Sequence, residues 1–370
     1  MVKSADRIKT IELSQIRKIF DMSNENSINL GIGEPDFDIP NNIKIAMKNA
    51  IDENYSHYTP NKGYLELREE IVKKLKKDNK INTTPENIIV TAGASEGLYI
   101  CAQSFLEKGD DVLIPNPGFL SYKACVDLSE ANPISIDCNV ENNFKMKVED
   151  VQEKLTKNTK AIILNSPSNP TGAVMEKEDL KGIADLSEDN DFLIISDEIY
   201  EKIIYEKKHY SIGEFSDNVI TINGFSKTYA MTGHRIAYLS AREELIEDML
   251  KVHQYCVACA NSVAQIGALE GLKGDQSFIN DFIKEFRRRR DLIVDSLNDM
   301  NYECIKTEGA FYVFPKIENS MEFVESAAKA GVLTVPGIAF GSLGKNHVRM
   351  SFANSYENIA KSMNILKNMI

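Results

Sequence analysis

From Asn87 onward, short apolar runs alternate with stretches whose apolar positions recur at helical spacing. The runs are NIIVTAG, DVLIPNP, PISIDC, AIILNSP, FLIISDE, VITING and RIAYLSA, and turn formers bound them. Helices are expected from Ser95 to about Glu107, Phe119 to about Glu130, Val148 to Leu155 and Glu176 to about Glu188. Strands that are apolar throughout, alternating with amphipathic helices, are buried on both faces. The pattern therefore predicts an α/β fold with a seven-stranded, mainly parallel sheet sandwiched by helices. One long helix is expected after RIAYLSA. Residues 281–370 change character, with the charged helix FIKEFRRRRDLIVDSL, the strand-like pieces GAFYVFP, GVLTVP and HVRMSFA, and a last helix. They predict a smaller α+β domain. Residues 1–45 show no sheet pattern of their own and are expected to pack with it as an arm, leaving 46–280 as the large domain.

Composition narrows the classes. A chain of 370 residues exceeds one typical core, and 43% hydrophobic with 26% charged residues suits a soluble globular protein. The formal net charge is −12, which disfavours nucleic acid and anionic membrane as partners. No apolar run is long enough to span a bilayer, and the N-terminus lacks the h-region of a secretory signal. Six cysteines suit reduced thiols in a cytoplasmic protein. Cys256 and Cys259 form a C-x-x-C with no second pair at metal-finger spacing, so both are expected as small buried helix residues and no metal is expected. Arg287 to Arg290 are interleaved with Asp281, Glu285, Asp291 and Asp295, which predicts a solvated, ion-paired face.

Ligands of open α/β sheets bind at the carboxyl ends of the strands. Polar and glycine-rich residues gather at five such ends: Gly93-Ala94-Ser95, Asn116 to Phe119, Asn165 to Pro170, Asp197 to Tyr200, and Gly224 to Lys227. Gly93-Ala94-Ser95 opens a helix and suits an anion, which Arg235 could clamp, although an ordinary capped helix explains it as well. Asp197 follows FLIIS and needs a cationic or hydrogen-bonding partner, unless it is a helix N-cap. Asn169 offers an amide to the cleft. Phe119 and Tyr200 are core aromatics or the walls of a flat slot. Lys227, in NGFSKTYAMTGHRIAY, is poorly explained as solvated surface.

Taken together, these residues resemble the fold-type I pyridoxal-phosphate aminotransferases, in the group of aspartate and aromatic aminotransferases, with archaeal members the most similar. INLGIGEPDF, YTPNKGYLELR, TAGASEG, NSPSNPTG, ISDEIY, NGFSKTYAMTGHRIAY, GAFYVFP and HVRMSFA carry the resemblance over essentially the whole chain. It implies that Lys227 condenses with the cofactor aldehyde and that Asp197 pairs with the pyridinium nitrogen. Tyr200 and Asn169 then bind the ring's 3-oxygen, Phe119 stacks on the ring, and Gly93, Ala94, Ser95 and Arg235 hold the phosphate. Tyr58 would reach the phosphate in a neighbouring subunit, implying a homodimer with shared sites. Arg349 would bind the substrate α-carboxylate, with Gly33 and Asn169 beside it.

Three positions depart from the family pattern. Gly224 stands where Ser is often found, three residues before the lysine, His234 where Trp or Leu is common, and Ala237 where Gly is common. Ser226 is a further phosphate candidate. The implied reaction transfers an amino group from an L-amino acid, aspartate first and aromatic amino acids second, to a 2-oxo acid such as 2-oxoglutarate, by ping-pong kinetics. Lys227 would act as the proton-transferring base once the cleft lowers its ordinary value near 10.4. A carbon–sulfur β-lyase is the alternative on the same scaffold. A ligand-sensing regulator lacks room for a DNA-binding module before the first motif. A dinucleotide enzyme lacks the G-x-G-x-x-G turn.

Overall fold

The computed structural model of the chain describes residues 2–9, 11 and 27–369. A short strand, β1 (Ile28–Asn29), precedes seven that build the central sheet. These are β2 (Ile88–Thr91), β3 (Asp111–Asn116), β4 (Asn132–Asp137), β5 (Thr159–Asn165), β6 (Leu193–Asp197), β7 (Val219–Gly224) and β8 (Ala237–Ser240). Their spatial order is β2-β8-β7-β6-β5-β3-β4. All neighbours are parallel except β8, which runs antiparallel to both β2 and β7.

Side chains of a strand alternate between faces, and here both faces are covered. Ile163 and Ile195 point into a core shared with the helices Ala94–Phe105, Leu120–Leu128 and Glu243–Cys256. Their neighbours Ile162 and Ile194 point the other way, against Val148–Lys154 and Lys177–Asn190. At the β2 edge, Ile88 and Val90 pack with Leu67 and Ile71 of the helix Leu65–Lys74 and with Ala264 of Ser262–Lys273. The far edge, β4, is partly exposed and reads NPISID, with a proline and charge that suit an unpaired edge.

A second core lies in the C-terminal part. There β9 (Tyr312–Val313), β10 (Val332–Leu333), β11 (Val335–Pro336) and β12 (Val348–Ser351) are flanked by the helices Ser277–Asp299, Ser320–Lys329 and Tyr356–Lys367. The strands β11-β12-β9 form an antiparallel sheet, while β1 pairs parallel with β10.

Several expectations need correction. The segment after RIAYLSA is two helices, Glu243–Cys256 and Ser262–Lys273. Ala258 adopts φ +64° between them, and Asn261 caps the second by accepting from the Ala264 N–H. Cys256 is therefore exposed at a helix end and Cys259 lies in the break, half-buried; neither is a buried helix residue.

The arginine run is only half solvated. Arg289 and Arg290 are buried, because they flank the apolar stripe of Phe286, Ile293 and Leu297 that faces the core. Arg290 donates to Glu206 and to the Thr307 carbonyl, and Arg289 to Asp36 and Glu285. The boundaries drawn at 45/46 and 280/281 each fall inside a helix, Asn41–Asp52 and Ser277–Asp299. The first 45 residues do contribute a strand, β1, whereas Ile43 packs with the large sheet's helices. Much of the expected arm, residues 12–26, lies outside the described residues. Among the described residues, no helix is long and apolar enough to cross a membrane.

Candidate active site

Antiparallel pairing of β8 to both β2 and β7 leaves β2, β3, β5, β6 and β7 pointing the same way, so the loops after them open on one edge of the sheet. A cavity of about 290 Å³ lies there. Its lining includes Ala94, Ser95, Phe119, Asn169, Asp197, Tyr200, Ser226, Lys227 and Arg235 from the sheet side, and Gly33 and Arg349 from the other. All five strand ends are represented. Gly93 borders the lining, since a Cβ on it would stand 2.5 Å from an Nη of Arg235, and its φ of +84° suits glycine alone. Tyr58 does not line the cavity and is 86% exposed.

Asp197, the last residue of β6, is buried. Its Oδ2 accepts from the Tyr122 hydroxyl (2.9 Å) and its Oδ1 from the Ile199 N–H (3.3 Å). No helix follows, so the N-cap alternative is set aside in favour of a local turn plus a tyrosine. Burial pushes this carboxyl up to about 6, and the Tyr122 hydrogen bond and the nearby Lys227 ammonium oppose that rise. Asn165, at the end of β5, bridges the two loops: its Nδ2 donates to the Asp197 carbonyl (2.9 Å) and its Oδ1 accepts from the Asn169 N–H (2.7 Å).

Lys227 follows β7 after a tight turn, and its Nζ donates to the Gly33 carbonyl (2.5 Å). Burial foremost lowers its ammonium to about 8; Glu34 opposes this and Arg235 adds to it. Glu34 in turn accepts from the Thr232 hydroxyl, tying the Gly31–Glu34 loop to the turn that carries Arg235. The Arg235 guanidinium also donates to the Thr232 carbonyl (3.0 Å).

Arg349 sits on β12, buried between the rings of Tyr312 and Phe340 at 4.6 and 4.7 Å. Its Nη1 donates to Asn169 Oδ1 (2.8 Å) and its Nη2 to the Gly31 carbonyl. Its Nε has no partner, and no carboxylate of the described residues lies within ion-pair distance. A buried guanidinium without a counter-charge is costly and suits an anion supplied from outside. Tyr200 shares a hydrogen bond with Tyr312 (2.8 Å), and Phe119 meets Tyr122 edge-on with centroids 5.7 Å apart.

Sequence reasoning missed Tyr122, Asn165 and Tyr312 as site residues. Tyr122 follows Phe119 by one helical turn, which is the signal available for it; Asn165 reads in sequence only as a turn former. Beneath the loop after β6, Glu198, Glu201 and His209 come within 4.8 Å of one another. Their carboxylates already accept from Asn79, Ser196, Ser211 and Lys74, so the group reads as a hydrogen-bonded anchor for that loop.

The sequence matches the family described as aminotransferase class I and II over residues 25–364. A probable aspartate aminotransferase of Methanocaldococcus jannaschii is 50% identical, covering 98% of each chain. The aspartate aminotransferase of Pyrococcus horikoshii is 44% identical over 97% of this chain and 95% of its own. Among solved structures, the aromatic aminotransferase from Pyrococcus horikoshii OT3 superposes with a TM-score of 0.91 at 41% identity, covering 96% of this chain and 98% of that one.

Proposed function

The chain belongs to the class I and II aminotransferases, and from that premise we propose that it transfers the amino group of an L-amino acid, aspartate first and aromatic amino acids next, to a 2-oxo acid such as 2-oxoglutarate. The family is pyridoxal-phosphate-dependent. The cavity suits that cofactor: Gly93, Ala94 and Ser95 open a helix whose first N–H groups lack intrahelical acceptors, beside the Arg235 guanidinium. Asp197 is a buried carboxylate short of a cation, which a protonated ring nitrogen would supply. Phe119 would cover the ring, with Asn169 and Tyr200 at its 3-oxygen. When bound, the cofactor provides the electron sink that loosens the bonds at the substrate α-carbon.

The chain's own residues do the rest. Arg349 carries the proposal: it lines the cavity as a buried guanidinium with no ion-pair partner among the described residues, fixed by Asn169 and Gly31, and would receive the amino acid's carboxylate. Lys227 would take the proton from the substrate α-carbon and deliver it to the cofactor's aldehyde carbon, as base and then acid, which its lowered value near 8 favours. The same cavity serves donor and acceptor in turn, so ping-pong kinetics are expected. The large domain would supply the floor and the small domain Arg349. Tyr58, exposed on its own chain, supports a homodimer in which it completes the neighbouring site. A cytoplasmic setting fits the six free thiols.

The deciding experiment combines reconstitution with a donor panel. Pyridoxal phosphate should give a visible absorbance band that borohydride bleaches, and Lys227→Ala should lack this imine-type band. Rates across amino donors with 2-oxoglutarate then rank aspartate against the aromatic amino acids. Pyruvate release from cystine without any 2-oxo acid would overturn the transaminase reading.

A further inference from the structure

His253 is fully buried in the last turn of the helix Glu243–Cys256, and both ring nitrogens face oxygen. Nδ1 lies 2.7 Å from Glu96 Oε1 and Nε2 2.9 Å from the Asn61 carbonyl oxygen. A carbonyl can only accept, so Nε2 carries a hydrogen. A bare Nδ1 against a bare carboxylate would oppose two lone pairs at 2.7 Å. A second proton must therefore lie between Nδ1 and Oε1, and the His253–Glu96 pair is neutral as a whole.

The pair joins two places that matter to the cavity. Glu96 is in the first turn of the helix that Ala94 and Ser95 open, and its Oε2 accepts from the Ala92 N–H (2.5 Å), closing the turn after β2. Asn61 belongs to the Tyr58–Lys62 segment, whose Lys62 carbonyl accepts from the Val90 N–H (3.0 Å) and whose Asn61 amide donates to the Ala258 carbonyl (2.6 Å). Few other ionisable groups approach. Cys256, on the same helix, feels the Glu96 charge; Lys62 is committed to Glu86 (3.1 Å), and Tyr58 points to solvent.

We propose that His253 and Glu96 are a proton-bridged positioning pair, holding the anion-binding turn Gly93–Ser95 in register with the Tyr58–Lys62 segment. The proposal rests on the reading of that turn as the cofactor phosphate site. The bridging proton is what lets one ring serve two acceptors at once. Removing the His253 ring opens both arms and frees the turn after β2 from the Tyr58–Lys62 segment, so cofactor retention weakens.

Glu96→Gln provides the test, because its amide can donate to Nδ1 while its oxygen still accepts from Ala92, replacing the proton with a hydrogen that does not ionise. Pyridoxal phosphate affinity of the full chain is measured at neutral pH for wild type, Glu96→Gln and His253→Ala. Glu96→Gln should hold cofactor within a few-fold of wild type. His253→Ala should bind about tenfold more weakly or worse. A far-downfield proton resonance should be present in the wild-type apoprotein and absent from Glu96→Gln. Wild-type affinity in His253→Ala, a loss in Glu96→Gln as large as in His253→Ala, or no such resonance would overturn the pair. A wild type that shows the resonance but takes up no cofactor would overturn the site reading instead.

Discussion

Gly224 and Ala237 face each other across β7 and β8, and a Cβ on Gly224 would stand 2.6 Å from the Cβ of Ala237. Two of the three departures from the family pattern are therefore one event: the side chain missing on β7 is present on β8. Restoring Ser at 224 alone overpacks the pair. Gly224→Ser should destabilise the fold by about 1–3 kcal/mol, measured by chemical denaturation. Adding Ala237→Gly should recover most of that loss; if the double variant is no better than the single one, the two positions are not coupled in this way.

Asp197 makes the apoprotein's stability depend on pH in an unusual direction. Its carboxyl is raised from 3.8 to about 6 in the folded state, so the folded form binds the proton more tightly than the unfolded one. This contribution is fully present below about 4 and is lost as pH rises through about 6. The tighter proton binding corresponds to about 3 kcal/mol. Urea midpoints of the apoprotein across that window should fall more steeply with pH for wild type than for Asp197→Asn. Equal slopes would contradict a carboxyl held protonated by burial.

Tyr122→Phe removes the hydroxyl that steadies the Asp197 charge at 2.9 Å. A hydrogen bond to a buried charge contributes about 1.5–3 kcal/mol, so cofactor affinity near neutrality should fall about tenfold or more. The deficit should shrink at higher pH, where Asp197 ionises without help. A deficit that stays constant with pH would point to lost packing against Phe119.

Lys227→Ala should abolish transamination, with kcat reduced by at least the factor of about 10²–10⁴ that positioned acid–base groups supply. Cofactor should still associate through its phosphate, seen as quenching of intrinsic tyrosine fluorescence. Near-normal turnover would remove Lys227 from the chemistry.

Arg349→Lys loses the planar fork and cannot serve Asn169, Gly31 and a carboxylate together. The apparent KM for amino donors should rise about 10²-fold or more, on the scale of truncating one partner of a buried charge pair, while the visible cofactor band persists. A variant with unaltered KM would place carboxylate recognition elsewhere.

The sheet was legible because all its strands but the edge strand β4 are largely buried on both faces and so read as mostly apolar runs, from Ile88–Thr91 to Ala237–Ser240. The loops that meet at the cavity were legible because they begin where those runs end. What stayed hidden depends on distant partners. Nothing near Tyr122 in sequence announces a carboxylate at Asp197, and nothing near Arg349 announces Gly31. The helix break at Ala258 carries neither glycine nor proline; its φ of +64° goes with a hydrogen bond to its carbonyl from Asn61, 197 residues earlier in the chain. Arg289 and Arg290 escape a sequence reading because charged runs on helices usually face water; here Asp36 and Glu206, both far along the chain, draw them inward.

The unpaired Nε of Arg349 has a consequence for the lifetime of the protein. The folded chain gives that cation no counter-charge among the described residues, and in the proposed role of Arg349 a substrate carboxylate would supply one. Occupancy therefore adds to the unfolding free energy in proportion to RT ln(1 + [L]/Kd). Heat resistance and protease resistance should then track the supply of amino and 2-oxo acids, so that the chain persists longest while it is at work.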